Sequence, residues 1–255
     1  MYKRMFYILC ITLILCACSK NKSLAHLSSE TKWNTAERYY NQGKYPKAVP
    51  YYEQLIFERS SIYTADAQYK LGECHFNTKK YVDAIFEYQE LLRLFPDHRL
   101  APDAQFKIGE SYVKLSNSPH FDQTESERAI EAFTIFGERY INDPRISQAN
   151  QYIARMQLRI LEKVYLNGYI YFKMKDYPAS QLYLNEIITL GNRNELEKKS
   201  VYYSALIHID RREGAEATRL VNHLGVYFPH SREYKSTVKR LARMNSRLWH
   251  LLYMY

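Results

Sequence analysis

Four thiols and eight imidazoles are the groups in this 255-residue chain most able to carry nucleophilic or metal chemistry, and their spacing decides how much is open to it. Acyl or phosphoryl transfer needs a nucleophile beside a base, or a glycine-rich cradle for phosphate. The sequence has no Gly-x-Ser-x-Gly, no phosphate loop and no His-Glu-x-x-His. The histidines are scattered, with no close pair at metal-ligand spacing, so neither a metal nor a cofactor is expected. His208 falls on a helical core position and reads as a packed residue. Cys74 lies inside a predicted helix without an activating neighbour and reads as a structural thiol. Glu37 and Glu73 recur at one register, which marks a shared face and not an acid–base pair. The chain is not expected to be an enzyme.

One thiol does have a chemical context. Lys3 and Arg4 precede an apolar run from Met5 to Leu15, the layout of an export signal and shorter than the roughly 20 residues that a membrane span needs. Leu15-Cys16-Ala17-Cys18 resembles a bacterial lipobox. The resemblance implies that residues 1–17 are removed and that Cys18 carries acyl chains, each buried CH₂ adding about 0.8 kcal/mol of anchoring. An ordinary exported protein cut nearby, or an uncleaved anchor, are the alternatives. Ser19 in place of Asp after the cysteine favours the outer membrane, with the chain facing the periplasm. Residues 18–30 read as the lipidated cysteine and a polar, flexible tether. With Cys10 and Cys16 lost and Cys18 lipidated, Cys74 cannot form an internal disulfide.

The formal charge of +9 suits nucleic acid, anionic lipid or an acidic partner, and export sets nucleic acid aside. Arg232, Lys235, Lys239, Arg240, Arg243 and Arg247 face only Glu233 between Ser231 and Trp249. This stretch reads either as a solvated terminal helix or as a docking surface for an acidic domain or lipid headgroups.

The elements that must position these groups are helices: Gly and Pro number only eight each, and Ala, Leu, Glu, Lys and Gln are plentiful. Tyr69, Leu71, Gly72, Tyr81, Ala84, Tyr88, Leu91 and Pro96 resemble one tetratricopeptide (TPR) unit. Ala36, Tyr39, Gly43, Tyr45, Ala48, Tyr52 and Leu55 repeat the lattice, with Ala48 and Ala84 36 residues apart. A third copy runs from Ile108 and Gly109 to Phe133 and Phe136 around a loop at residues 117–124. A fourth runs from Gly168 through Tyr177, Ser180, Leu184 and Ile187, and a fifth takes Ala205, His208, Ala217, Val221 and Leu224. The expected fold is an all-α TPR α-solenoid of about five helix–turn–helix repeats with a C-terminal capping helix. Repeats 1–3 occupy 31–145; repeats 4–5 and the basic cap occupy 146–255, with a lengthened helix after Pro144.

In such an array the first helix of each pair lines a groove. The groove positions are Trp33, Glu37, Tyr40 and Asn41; Tyr69, Glu73, Phe76 and Asn77; then Phe106 and Glu110, with Val113 and Lys114. Aromatics supply apolar area, and Asn can hold an extended backbone by donor and acceptor together. Some of these side chains could instead pack against the neighbouring repeat. TPRs that clamp a terminal carboxylate use Lys and Asn where Glu and aromatics stand here, so an apolar or aromatic segment with basic residues is the better ligand. Tyr165, Tyr169, Phe172, Lys173, Tyr202, Leu206 and Ile209 make the later repeats more apolar.

The lipobox, tether, five repeats, long middle helix and basic terminal helix together resemble the BamD/ComL family, lipoproteins of the outer-membrane β-barrel assembly machine. The Tyr-rich second repeat ending in Phe95-Pro96, followed by Ala101-Pro102-Asp103-Ala104, carries the resemblance most strongly. It implies a noncatalytic function: the early repeats receive unfolded outer-membrane protein precursors, and the later repeats dock the periplasmic POTRA domains of the β-barrel insertase. Arg211, Arg212, Lys239, Arg240 and Arg243 are the candidate docking residues. Another lipid-anchored TPR scaffold of the envelope is the alternative; a glycan-binding TPR lipoprotein would be about twice as long.

Overall fold

A computed structural model describes residues 24–59 and 61–252. The expected signal segment 1–17, the lipobox Leu15–Cys18 with its acylation at Cys18, and the first part of the tether lie outside the described residues. Those described residues fold into eleven helices without a strand: α1 (Ser29–Asn41) and α2 (Tyr45–Glu58), α3 (Thr64–Asn77) and α4 (Tyr81–Leu94), α5 (Ala101–Leu115) and α6 (Thr124–Arg139), α7 (Ile146–Met174) and α8 (Tyr177–Leu190), α9 (Glu195–Asp210) and α10 (Gly214–Tyr227), and α11 (Arg232–Leu252). This is the all-α, TPR-solenoid class of fold.

Local chemistry sets the ends of these helices. Ser28, Asp176 and Asn194 cap α1, α8 and α9 by accepting from the amides of Thr31, Ala179 and Glu197. Pro46, Pro102 and Pro178 enter first turns, where no amide partner is lost. Four helix pairs turn in the same way. The amides of Gly43, Lys79, Lys175 and Arg212 reach back three residues, and the next amide reaches back five. Each of these four residues is left-handed, with φ of 68, 63, 62 and 60°. Only the first is Gly, so the other three turns hold a side chain at a cost of about 1–2 kcal/mol against the packing around them. Between α5 and α6 an eight-residue connection, 116–123, replaces this turn.

Small residues let the helices of each pair approach. A Cβ added to Gly72 would lie 2.6 Å from the Tyr88 ring, and one on Gly109 would lie 2.7 Å from the Phe133 ring. One on Gly168 would meet Leu184 at 2.9 Å. Glycine at this lattice position is thus a packing requirement.

The chain divides into two compact units, one containing 24–116 and 127–153, the other 117–126 and 154–252. The boundary expected at 145/146 falls instead between Ile153 and Ala154, inside the 29-residue α7. The first unit has three packed cores. One joins Tyr52, Leu55, Leu71 and Cys74; a second joins Tyr88, Leu91, Ile108 and Ala132; a third joins Phe106, Phe133, Phe136 and Ala149. In the second unit Val201, Ala205, Leu220, Val221 and Leu224 form the core, which Tyr234 and Leu241 of α11 cover. Each such aliphatic or aromatic side chain contributes about 1.5–3 kcal/mol by leaving water.

Candidate peptide-binding face

The sequence places an acid four residues after the first groove aromatic of each of the three pairs, Trp33, Tyr69 and Phe106, and the fold shows what that acid does. Tyr52 of α2 donates its hydroxyl to Glu37 of α1 (2.5 Å), and Tyr88 of α4 donates to Glu73 of α3 (2.7 Å). The following repeat adds a cation to each. Lys70 lies 3.4 Å from Glu37, and Lys107 lies 3.5 Å from Glu73 and 3.1 Å from Glu110. The same two ammonium groups cover aromatic faces, Lys70 at 4.0 Å from the Tyr40 ring centre and Lys107 at 4.4 Å from that of Phe76. Tyr40 also donates to Glu73 (3.2 Å), and Tyr152 of α7 donates to Glu110 (3.2 Å).

This is a ladder running from pair to pair: carboxylate, tyrosine hydroxyl, lysine, ring. Burial opposes the charge on Lys107, but Glu73 and Glu110 outweigh it and hold the ammonium above its ordinary pKa. Burial first, then Glu73, pushes the hydroxyls of Tyr40, Tyr69 and Tyr88 above theirs, so all three stay protonated donors. Burial first, opposed by Lys70 and helped by Glu73 and Glu37, takes the Cys74 thiol up to about 12, which leaves it a packed, unreactive group.

Trp33, Glu37, Tyr40, Tyr69, Glu73, Phe76 and Glu110 are all half-buried, and Asn41 and Asn77 are exposed. Each ring leans on a neighbour: Trp33 stacks on Tyr63 at 5.1 Å, Tyr40 meets Tyr45 edge-on at 5.4 Å, and Phe76 meets Tyr81 the same way at 5.4 Å. The Asn77 amide donates to the Glu73 carbonyl at 2.8 Å. Phe106 departs from its expected place. It is buried against Phe133 and Phe136, at 5.3 and 5.1 Å, under the Arg145 guanidinium, which Asp103 and Asp143 hold. The expectation that Glu37 and Glu73 would attract basic ligand residues also changes, because lysines and tyrosines already engage both. Lys70 and Lys107 were missed by the sequence reading, although they recur 37 residues apart and three before each acid.

In the second unit Tyr165, Tyr169 and Phe172 of α7 gather around Tyr203 of α9, with ring centres 6.4, 5.0 and 4.8 Å away. Tyr203, not only the expected Tyr202, completes this cluster. Leu206 is buried. His208 bonds Gln181 and Glu213, as a packed histidine does. Arg211 pairs with Glu213 at 2.9 Å, and Arg212 is the left-handed residue of the α9–α10 turn. Lys239, Arg240 and Arg243 are exposed on α11. Among the described residues no group of three His, Cys, Asp or Glu could hold a metal ion, and no helix is long and apolar enough to cross a membrane.

Known proteins resemble this chain at the level of the repeat. A protein from Schizosaccharomyces pombe, "DnaJ homolog subfamily C member 7 homolog", is 25% identical over 168 residues, 55% of this chain. The chain spans about a third, 35%, of the length of that curated relative. A solved tetratricopeptide repeat protein from Parabacteroides merdae shares 15% identity, covering 86% of this chain and 73% of its own at a TM-score of 0.37. The tetratricopeptide repeat family matches residues 34–99, from within α1 through α4, which hold Glu37, Tyr52, Lys70, Glu73 and Tyr88 of the ladder.

Proposed function

We propose that this chain is the lipid-anchored TPR component of an outer-membrane β-barrel assembly machine, working by binding and not by catalysis. The observation that carries the reading is the repeated face of α1, α3 and α5. Half-buried Trp33, Tyr40, Tyr69 and Phe76 flank carboxylates that the protein itself neutralises. Such a face favours an extended segment rich in aromatic side chains, as the ends of unfolded barrel precursors are, and makes little demand for charge. The lipobox at Cys18 supports the address, and the aromatic cluster around Tyr203 with the basic turn at Arg211 and Arg212 supports the second unit as the part that docks the insertase's POTRA domains.

Tyr69→Ala combined with Phe76→Ala is expected to weaken binding of a precursor-derived peptide by at least tenfold, while far-UV circular dichroism stays helical. Unchanged affinity in the folded variant removes the groove assignment. Purified from detergent-solubilised membranes, the protein is expected to bring the β-barrel insertase with it in stoichiometric amount. Its absence, with other envelope proteins present instead, would favour a general envelope scaffold.

A further inference from the structure

The helix that closes the second unit presents two unlike faces. Tyr234, Thr237, Leu241 and Met244 turn inward, with Thr237 and Met244 buried. At about 100° per residue, Arg232, Lys235, Lys239, Arg240 and Arg243 all fall within one arc of about 140°, along roughly 17 Å of helix. All five are exposed, and between residues 232 and 246 the other side chains sharing that arc, Ser236 and Ser246, are small and polar. The one acid of α11, Glu233, faces Lys198 at 3.7 Å, outside the stripe. Among the described residues none of the five has a carboxylate within ion-pair distance.

We infer that this stripe is a contact for an anionic phospholipid surface. Charge complementarity points to a dense anionic partner, and the make-up of the stripe chooses between the two kinds. A protein interface centres on desolvated aromatic or apolar side chains, and none lies within this arc. A headgroup layer needs only several flexible cations at the ends of long stems, each strengthening attachment severalfold. Lys239, Arg240 and Arg243, expected as insertase contacts, are here assigned to lipid. The helix lies flat on the bilayer, its apolar side already spent on α9 and α10, so the contact is electrostatic and reversible. This goes beyond the assembly reading. The vesicle assay contains neither insertase nor precursor, so the two can fail separately.

The full chain carrying Cys18→Ser, and hence unlipidated, is mixed with vesicles of phosphatidylcholine, either pure or containing about a third phosphatidylglycerol, and sedimented. Binding is expected only to the anionic vesicles, and is lost as salt rises. Lys239→Gln/Arg240→Gln/Arg243→Gln should lower the partition coefficient by about a hundredfold. Lys47→Gln/Lys79→Gln/Lys80→Gln removes the same charge from exposed positions of the first unit and should change it little. Equal binding to neutral vesicles overturns the inference, as does an equal loss in both variants. Failure to bind either vesicle also overturns it, and if the α11 variant then loses a salt-sensitive contact with the purified insertase domains, an acidic protein partner takes the lipid's place. Circular dichroism and the thermal midpoint confirm that each variant is folded.

Discussion

Glu58→Ala should destabilise the protein by about 3–5 kcal/mol, because it leaves a buried ammonium without its counter-ion. Lys32 of α1 is 1% exposed and its Nζ meets Glu58 at the end of α2, where Ser29 and Gln54 also donate to the carboxylate, each at 3.3 Å. Desolvating a cation is tolerable only while this geometry holds. Replacing both partners together, Lys32→Met with Glu58→Leu, should be close to neutral, since no uncompensated charge is buried. Urea unfolding of the two variants measures the difference; equal losses would mean that the pair contributes through packing and not charge. The pH dependence has a fixed sign. The hydrogen bond from Lys32 holds the Glu58 carboxyl below its ordinary pKa. Its stabilisation is present above the ordinary carboxylate range and is lost as pH falls through the depressed folded value.

Glu73→Ala should cost about 2–4 kcal/mol and act on the face as well as on stability. One carboxylate there receives the hydroxyls of Tyr88 and Tyr40 and faces the ammonium of Lys107. Tyr88 is fully buried, so removing Glu73 strands its hydroxyl away from water. Adding Tyr88→Phe to Glu73→Ala should recover part of the loss, since the stranded group goes with it. A double-mutant cycle by denaturant unfolding measures the coupling, and additive losses would break the ladder as a unit. Binding of an aromatic peptide should fall too, because Lys107 then loses one of the two carboxylates that hold it over Phe76.

How much of this was legible in the sequence depends on whether a residue meets its own helix pair or the next one. Gly72 against Tyr88, and Gly109 against Phe133, are requirements inside a pair, so type and spacing reveal them. Ser180 is equally legible: it is buried and donates to the Gly168 carbonyl at 2.8 Å. Lys70 and Lys107 serve a carboxylate in the preceding pair, and nothing local demands a lysine, so their role emerges only when the pairs stack. Phe106 shares the register of Trp33 and Tyr69, yet Phe136, Tyr152 and Arg145 close over it. Tyr152 and Arg145 lie beyond its own helix pair, and the lattice does not foretell them. Tyr203 sits one residue past Tyr202, off the positions the lattice assigns to the groove, and only the α7 rings draw it into the cluster.

The ladder also gives the repeats a grammar. Each lysine reaches backward to the acid of the pair before it, and the first pair has Asn34 where the later two have Lys70 and Lys107. The units are therefore not interchangeable bricks. A pair moved to the front of the row would carry a lysine with no earlier acid to meet, and its own acid would face Asn34 and find no lysine. A row built this way has a head and a tail, so a strand laid along it meets a different sequence of charges and rings in each direction.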